Sequence, residues 1–128
     1  MNDLDAPYHA HVYYEPATRE RALQLHAALG SGTLPGVLMV GRMEDAPVGP
    51  HPLPQFEFHF HAATVPAVRA LLQGAGLTAL IHPLTDDDLA DHTTLAEWIG
   101  TPLPLDPSVF DPPGQNQGFA RFGKSEFA

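Results

Sequence analysis

His9 and His11 stand two residues apart in the aromatic, alternating run Tyr8–Tyr14, so in an extended chain both imidazoles project from the same side. A neutral imidazole offers a lone pair to iron, zinc, copper or nickel, and its pKa near neutrality also lets it accept and return a proton. Eight histidines occur in 128 residues, most of them in segments patterned like strands. In Gln55–His61 the side chains of Glu57, His59 and His61 alternate with Phe56, Phe58 and Phe60, which separates a polar from an aromatic side. His82 closes the apolar run that begins at Leu77, and His92 lies in a stretch of helical spacing. A single strand histidine is ordinarily a half-buried polar residue. An H-x-H pair joined by further converging imidazoles makes a metal site the stronger reading. With no cysteine in the chain, thiolate metal sites, cysteine nucleophiles and disulfides are excluded.

Those residues need elements to hold them. Tyr8–Tyr14 reads as a strand ended by Glu15-Pro16, and Ala22, Leu25 and Leu29 recur at helical spacing before Gly30, a candidate cap. Val37–Met43 reads as a second strand. Residues Ala46–Pro54, with four prolines and Gly49, can only be a loop. Gln55–His61 is the third strand, and a helix capped by Thr64 carries Val65, Val68, Leu71 and Leu72 until Gly74 and Gly76 end it. Leu77–His82 is the fourth strand. A last helix is expected from Asp86 to Gly100, its acidic start (Asp86, Asp87, Asp88) complementing the helix dipole and lacking the spacing of a calcium loop. His26 is expected as a cation at the negative end of the first helix.

The order is β-α-β-β-α-β plus a C-terminal helix, an α+β pattern of the ferredoxin-like, split-βαβ kind. It predicts an antiparallel sheet in the strand order four, one, three, two, with both helices on the phenylalanine side. The histidines then face the other way. His9 is expected near His61 and His82, and His92 is expected to point at the body of the protein on a helix face shared with Leu89, Ala96 and Ile99. That second sheet face needs a cover from a partner chain, the tail or a ligand, and a homodimer is expected. Residues 1–106 read as one domain and 107–128, rich in Pro, Gly and Asn, as an irregular tail.

Six basic residues against fifteen acidic ones give a formal charge of -9, which repels a phosphate backbone and argues against nucleic acid as a partner. The N-terminus has no apolar run of signal-peptide length, and no segment approaches the ~20 apolar residues of a membrane span. A cytoplasmic protein without membrane contact is expected.

Tyr8-His9-Ala10-His11-Val12-Tyr13, Val48-Gly49-Pro50-His51-Pro52, His82-Pro83-Leu84-Thr85 and Leu89-Ala90-Asp91-His92-Thr93, followed by Trp98 and Leu103-Pro104-Leu105, resemble the DOPA 4,5-dioxygenase family of fungi and bacteria. The resemblance covers about residues 7–106. It implies a ferredoxin-like, usually dimeric protein that cleaves a catechol such as DOPA in the extradiol manner, with dioxygen and iron(II); zinc or nickel could replace iron in purified protein. It points to His9, His11, His51, His82 and His92, of which His9, His11 and His82 are expected as metal ligands and His92 and His51 as catalytic groups. His59 and His61 fall outside the family pattern. His51 lies in the loop before the third strand, at the opposite end of the sheet from His9, and reaches the cluster only if the loop folds back or a second subunit supplies it.

Extradiol cleavage needs three protein ligands that leave open positions on the metal. If one is a carboxylate, Glu57 is the best placed, since Asp91 diverges from His92 along the helix; an all-histidine set is equally open. Two rivals stand beside the enzyme: a non-catalytic dimeric module that binds a metal or a small ligand, and a structural dimer whose histidines fill an interface.

Overall fold

Alternation along the strands builds a sheet with two chemically distinct faces. In this computed structural model, which describes residues 3–110 and 122–123, the elements are β1 (Pro7–Tyr13), α1 (Arg19–Gly30), β2 (Met39–Val40), β3 (Gln55–His61), α2 (Val65–Ala75), β4 (Ala79–Pro83), α3 (Asp88–His92) and β5 (Glu97–Ile99). The strands are antiparallel in the order β2-β3-β1-β4-β5. The expected order of four strands is therefore present, extended by β5 on the outer edge of β4. This is the ferredoxin-like α+β arrangement.

Phe56, Phe58 and Phe60 point to the helix side, where they pack with Ala10, Val12, Ala79 and Ile81 against Ala22 and Leu29 of α1 and Val68 and Leu72 of α2. Burying one such phenylalanine contributes about 1.5–3 kcal/mol, so this layer carries much of the stability. Pro66 sits in the first turn of α2, where its missing N–H breaks no helical bond. Thr64 precedes that helix without capping it through its side chain. Gly30 is the last residue of α1 rather than its cap, and the backbone amides of Ser31 and Gly32 close the turn.

Two expected elements change. The strand Val37–Met43 contracts to Met39–Val40, because the chain passes over Glu57 at Gly41, whose amide donates to the Glu57 carbonyl at 2.7 Å, before pairing resumes at Glu44 and Gln55. The helix expected from Asp86 to Gly100 is a five-residue helix followed by a strand. Thr93 stops it: its hydroxyl takes the Leu89 carbonyl at 2.6 Å, and its backbone leaves the helical region. Glu97, Trp98 and Ile99 then pair with Ile81, Leu80 and Ala79. Strand alternation sends Ile99 into the phenylalanine core and leaves Glu97 to Arg69 of α2, at 2.6 and 2.8 Å. Trp98 goes to the opposite face and stacks on Tyr13, with ring centroids 5.8 Å apart. Leu89 is exposed, so the inward helix face expected for Leu89, His92, Ala96 and Ile99 does not exist, although His92 is buried.

The second sheet face is not open. His9, His11, Tyr13, Gln55, Glu57, His59, Leu80 and His82 are all buried within the single chain. Among the described residues, the loop bearing His51, helix α3, Phe110 and Phe122 lie over it. A partner is not needed to cover that face. Of the expected irregular tail, Pro107–Val109 forms a single 3-10 turn, and residues 111–121 and 124–128 lie outside the described residues. Among the described residues, no helix is long and apolar enough to cross a membrane.

Candidate metal centre

Strand register gathers the imidazoles. β1 lies between β3 and β4, so His9 is opposite His59 on one side and His82 on the other. The His9 and His59 rings stack, with centroids 3.7 Å apart and planes 10° from parallel. His11, two residues along β1, stacks on His82 at 5.1 Å. His61, the expected neighbour of His9, pairs with Pro7 instead, and its Nδ1–H donates to the Asp5 carbonyl at 2.9 Å, outside the cluster.

The hydrogen bonds of these rings say where their protons sit. His82 Nδ1 lies 2.8 Å from the Pro83 carbonyl, which can only accept, so the proton is on Nδ1 and Nε2 carries the lone pair. His11 Nδ1 lies 3.0 Å from Oε1 of Gln55, with the same consequence. The two Nε2 atoms are 3.0 Å apart. Lone pairs at that distance repel, and a cation shared between them turns the contact attractive. Two nitrogens bound to one metal at ~2.1 Å lie roughly 3.0–3.4 Å apart for right-angled to tetrahedral sites, so the spacing is compatible with a shared ion. His9 completes a group of three whose ligand atoms lie within 4.8 Å of one another. Neutral nitrogen donors whose other nitrogen is tied to a carbonyl or carboxylate form the usual donor set for a divalent transition metal. His9 also belongs to a second such group, with Glu57 and His59. Glu57 Oε2 lies 3.2 Å from His59 Nε2 and 3.4 Å from His9 Nδ1.

His51 and His92 flank the trio. The proline-rich loop folds back in the same chain, bringing the His51 ring to 4.3 Å from His11, and Nδ1 of His51 lies 2.7 Å from the Tyr13 hydroxyl. His92 donates from Nδ1 to the Asp88 carbonyl at 2.8 Å, one helical turn earlier, which leaves its Nε2 with the lone pair. Its ring lies 4.1 Å from His82 and stacks on Phe110 at 4.6 Å. Beside it is a cavity of about 270 Å³ lined by His92, Trp98, Leu103, Leu105 and Phe110. All five residues expected from the sequence, His9, His11, His51, His82 and His92, are therefore brought together.

Other titratable groups are engaged elsewhere. Asp91 accepts from the amide and the hydroxyl of Thr85, at 2.9 and 2.6 Å, and burial pushes its carboxyl up to about 6. Asp87 caps α3 by accepting from the Ala90 amide. His26 lies before the last turn of α1 and not at its end, and its Nε2–H donates to the Gly41 carbonyl at 2.8 Å while its ring edge meets Phe56 at 5.0 Å. Tyr13, Gln55 and Phe110 join the site without having been singled out in the sequence. The signal for two of them was present, since Tyr13 continues the series 9, 11, 13 and Gln55 opens the series 55, 57, 59.

The Dopa 4,5-dioxygenase family matches residues 8–109. The chain is 31% identical over 106 residues to the DOPA 4,5-dioxygenase of Amanita muscaria, covering 77% of this chain and 46% of that protein. It is 34% identical over 84 residues to an uncharacterised protein of Botryotinia fuckeliana, covering 56% of this chain and 45% of the relative. The chain thus spans under half the length of these two curated relatives. A crystal structure from Nostoc punctiforme, of a protein proposed to be a dioxygenase, superimposes with a TM-score of 0.71 at 35% identity, covering 78% of this chain and 86% of the other.

Proposed function

This chain belongs to the Dopa 4,5-dioxygenase family, and from that premise we propose that it is an extradiol dioxygenase that opens the ring of a catechol, such as DOPA, using iron(II) held by His9, His11 and His82. The observation that carries the reading is the convergence of buried imidazoles, with the Nε2 lone pairs of His11 and His82 turned toward each other. When bound, the metal supplies a redox-active Lewis acid with open positions beside its protein ligands; zinc or nickel fits the same donors without that redox chemistry.

The chain's own residues do the rest. His92, with its Nδ1 proton on the Asp88 carbonyl, accepts a proton at Nε2 from a catechol hydroxyl and later returns it to the product, a role for which imidazole is suited. His51, oriented by the Tyr13 hydroxyl, holds a second ring nitrogen on the same side of the trio. Trp98 and Phe110 wall the cavity beside His92 with aromatic surface, which suits a flat ring. The reaction consumes one dioxygen, both atoms of which enter the ring-opened product.

The test is to load the protein with iron(II), mix it with catechols in air and record the visible absorption of a ring-opened product. Yellow product supports the reading. Bound iron with no product from any catechol would leave the non-catalytic binding module standing, and no bound metal at all would leave histidines that only fill a core.

A further inference from the structure

Near the far end of the chain, the backbone amide of Gly123 donates to Nδ1 of His59 at 3.0 Å. An amide can only donate, so His59 Nδ1 carries a lone pair and the ring's proton sits on Nε2, 3.2 Å from Glu57 Oε2. That same carboxylate oxygen is 3.4 Å from His9 Nδ1, a looser contact than a standard hydrogen bond but one that favours a proton there. The nitrogen of His9 left with a lone pair is then Nε2, the same nitrogen that His11 and His82 present to one another.

We infer that Gly123, His59 and Glu57 form a positioning relay that fixes the tautomer of His9, so that the affinity of the metal centre depends on the turn at Gly123, with Glu57 acting through His9 and not as a ligand. The inference rests on the metal reading proposed above. It also settles which of the two overlapping groups binds. For His59 to ligate through Nε2, its proton would have to move to Nδ1 and face the Gly123 amide, losing that bond.

Three further observations support the relay. Phe122 braces the contact, stacking on His59 at 6.1 Å and meeting His61 edge-on at 5.0 Å. A side-chain carbon at Gly41 would stand 3.1 Å from Glu57 Cγ, so the strand edge closes over the carboxylate and leaves it little freedom. Three neutral imidazoles would leave a divalent charge uncompensated, and the buried Glu57 carboxylate one ring away would supply opposite charge.

The experiment combines ¹⁵N NMR of the metal-free protein with zinc and cobalt titrations of the full chain and two variants, Glu57→Gln and Gly123→Pro. Proline has no amide hydrogen and cannot take the φ of +81° found at this exposed turn, so the substitution cuts the relay far from the core. Wild-type His59 is expected with its proton on Nε2 and His9 with its proton on Nδ1. Gly123→Pro should mix the His59 tautomers and weaken zinc binding by about tenfold, and Glu57→Gln should weaken it by about 10- to 100-fold. The cobalt absorption bands of Glu57→Gln at saturation should match wild type.

A changed cobalt spectrum or complete loss of binding in Glu57→Gln would make Glu57 a ligand and overturn the inference. Unchanged tautomers and affinity in Gly123→Pro would take Gly123 out of the relay and overturn the dependence on its turn. If wild type takes up neither zinc nor cobalt, the metal reading fails and the dependence of affinity fails with it, while the tautomers still report on the relay.

Discussion

His82 is held from both sides, its Nδ1 by the Pro83 carbonyl and its Nε2 facing His11. Replacing it with alanine is expected to abolish iron binding while the domain stays folded, since the phenylalanine core lies on the other sheet face; metal analysis beside circular dichroism checks both halves. His92 separates differently. His92→Gln should keep the metal and lower turnover by roughly two to four orders of magnitude, and metal lost together with activity would make His92 a ligand. His9, His11 and His82 were legible because alternation fixes the face of each strand and the topology fixes which strands adjoin. The choice between His59 and His61 was not, because sliding β3 by two residues keeps every side chain on its own face. Alternation alone cannot detect that shift. Gln55 and Tyr13 share the face too, but an amide and a phenol carry no ligand signal until a ring nitrogen is seen beside them.

Each central strand divides its labour between two layers, and substitutions should divide accordingly. Phe58→Ala is expected to cost about 3–5 kcal/mol of stability, measured by denaturant unfolding, whereas His82→Ala should cost far less. β5 was hidden because Leu89, His92, Ala96 and Ile99 happen to recur at helical spacing, and a three-residue strand is too short to show a period of its own. What fixes β5 is tertiary, namely pairing with β4 and the fork from Arg69 to Glu97. The Arg69 guanidinium holds the Glu97 carboxyl below its ordinary range. A carboxyl with a depressed folded pKa adds stability above its unfolded pKa and loses it as the pH falls through the folded one. The melting temperature of wild type should therefore exceed that of Glu97→Gln by a small margin near neutral pH, narrowing below about pH 4.5. A margin independent of pH would show that the pair contributes through packing alone.

For the molecule as a whole, the chain's own segments cover the histidine face, so its burial does not require a second copy. His82→Ala should accordingly sediment like wild type at every concentration; a shift in the association state would put that face at a subunit boundary. The excess of nine negative charges comes from carboxylates outside the trio His9, His11 and His82. His11 and His82 are 71 residues apart in the chain and 3.0 Å apart in space. The consequence is one of timing. Of the sheet's strands, β1 is the earliest in sequence and the innermost in space, with one edge waiting for β3 and the other for β4. A nascent chain therefore carries its central strand with both edges bare, the state in which strands are most prone to pair wrongly. Nothing that needs both imidazoles can assemble on the ribosome before β4 has emerged, so the centre arrives whole, with the last of its strand pairings, on a chain that must already be folding without it.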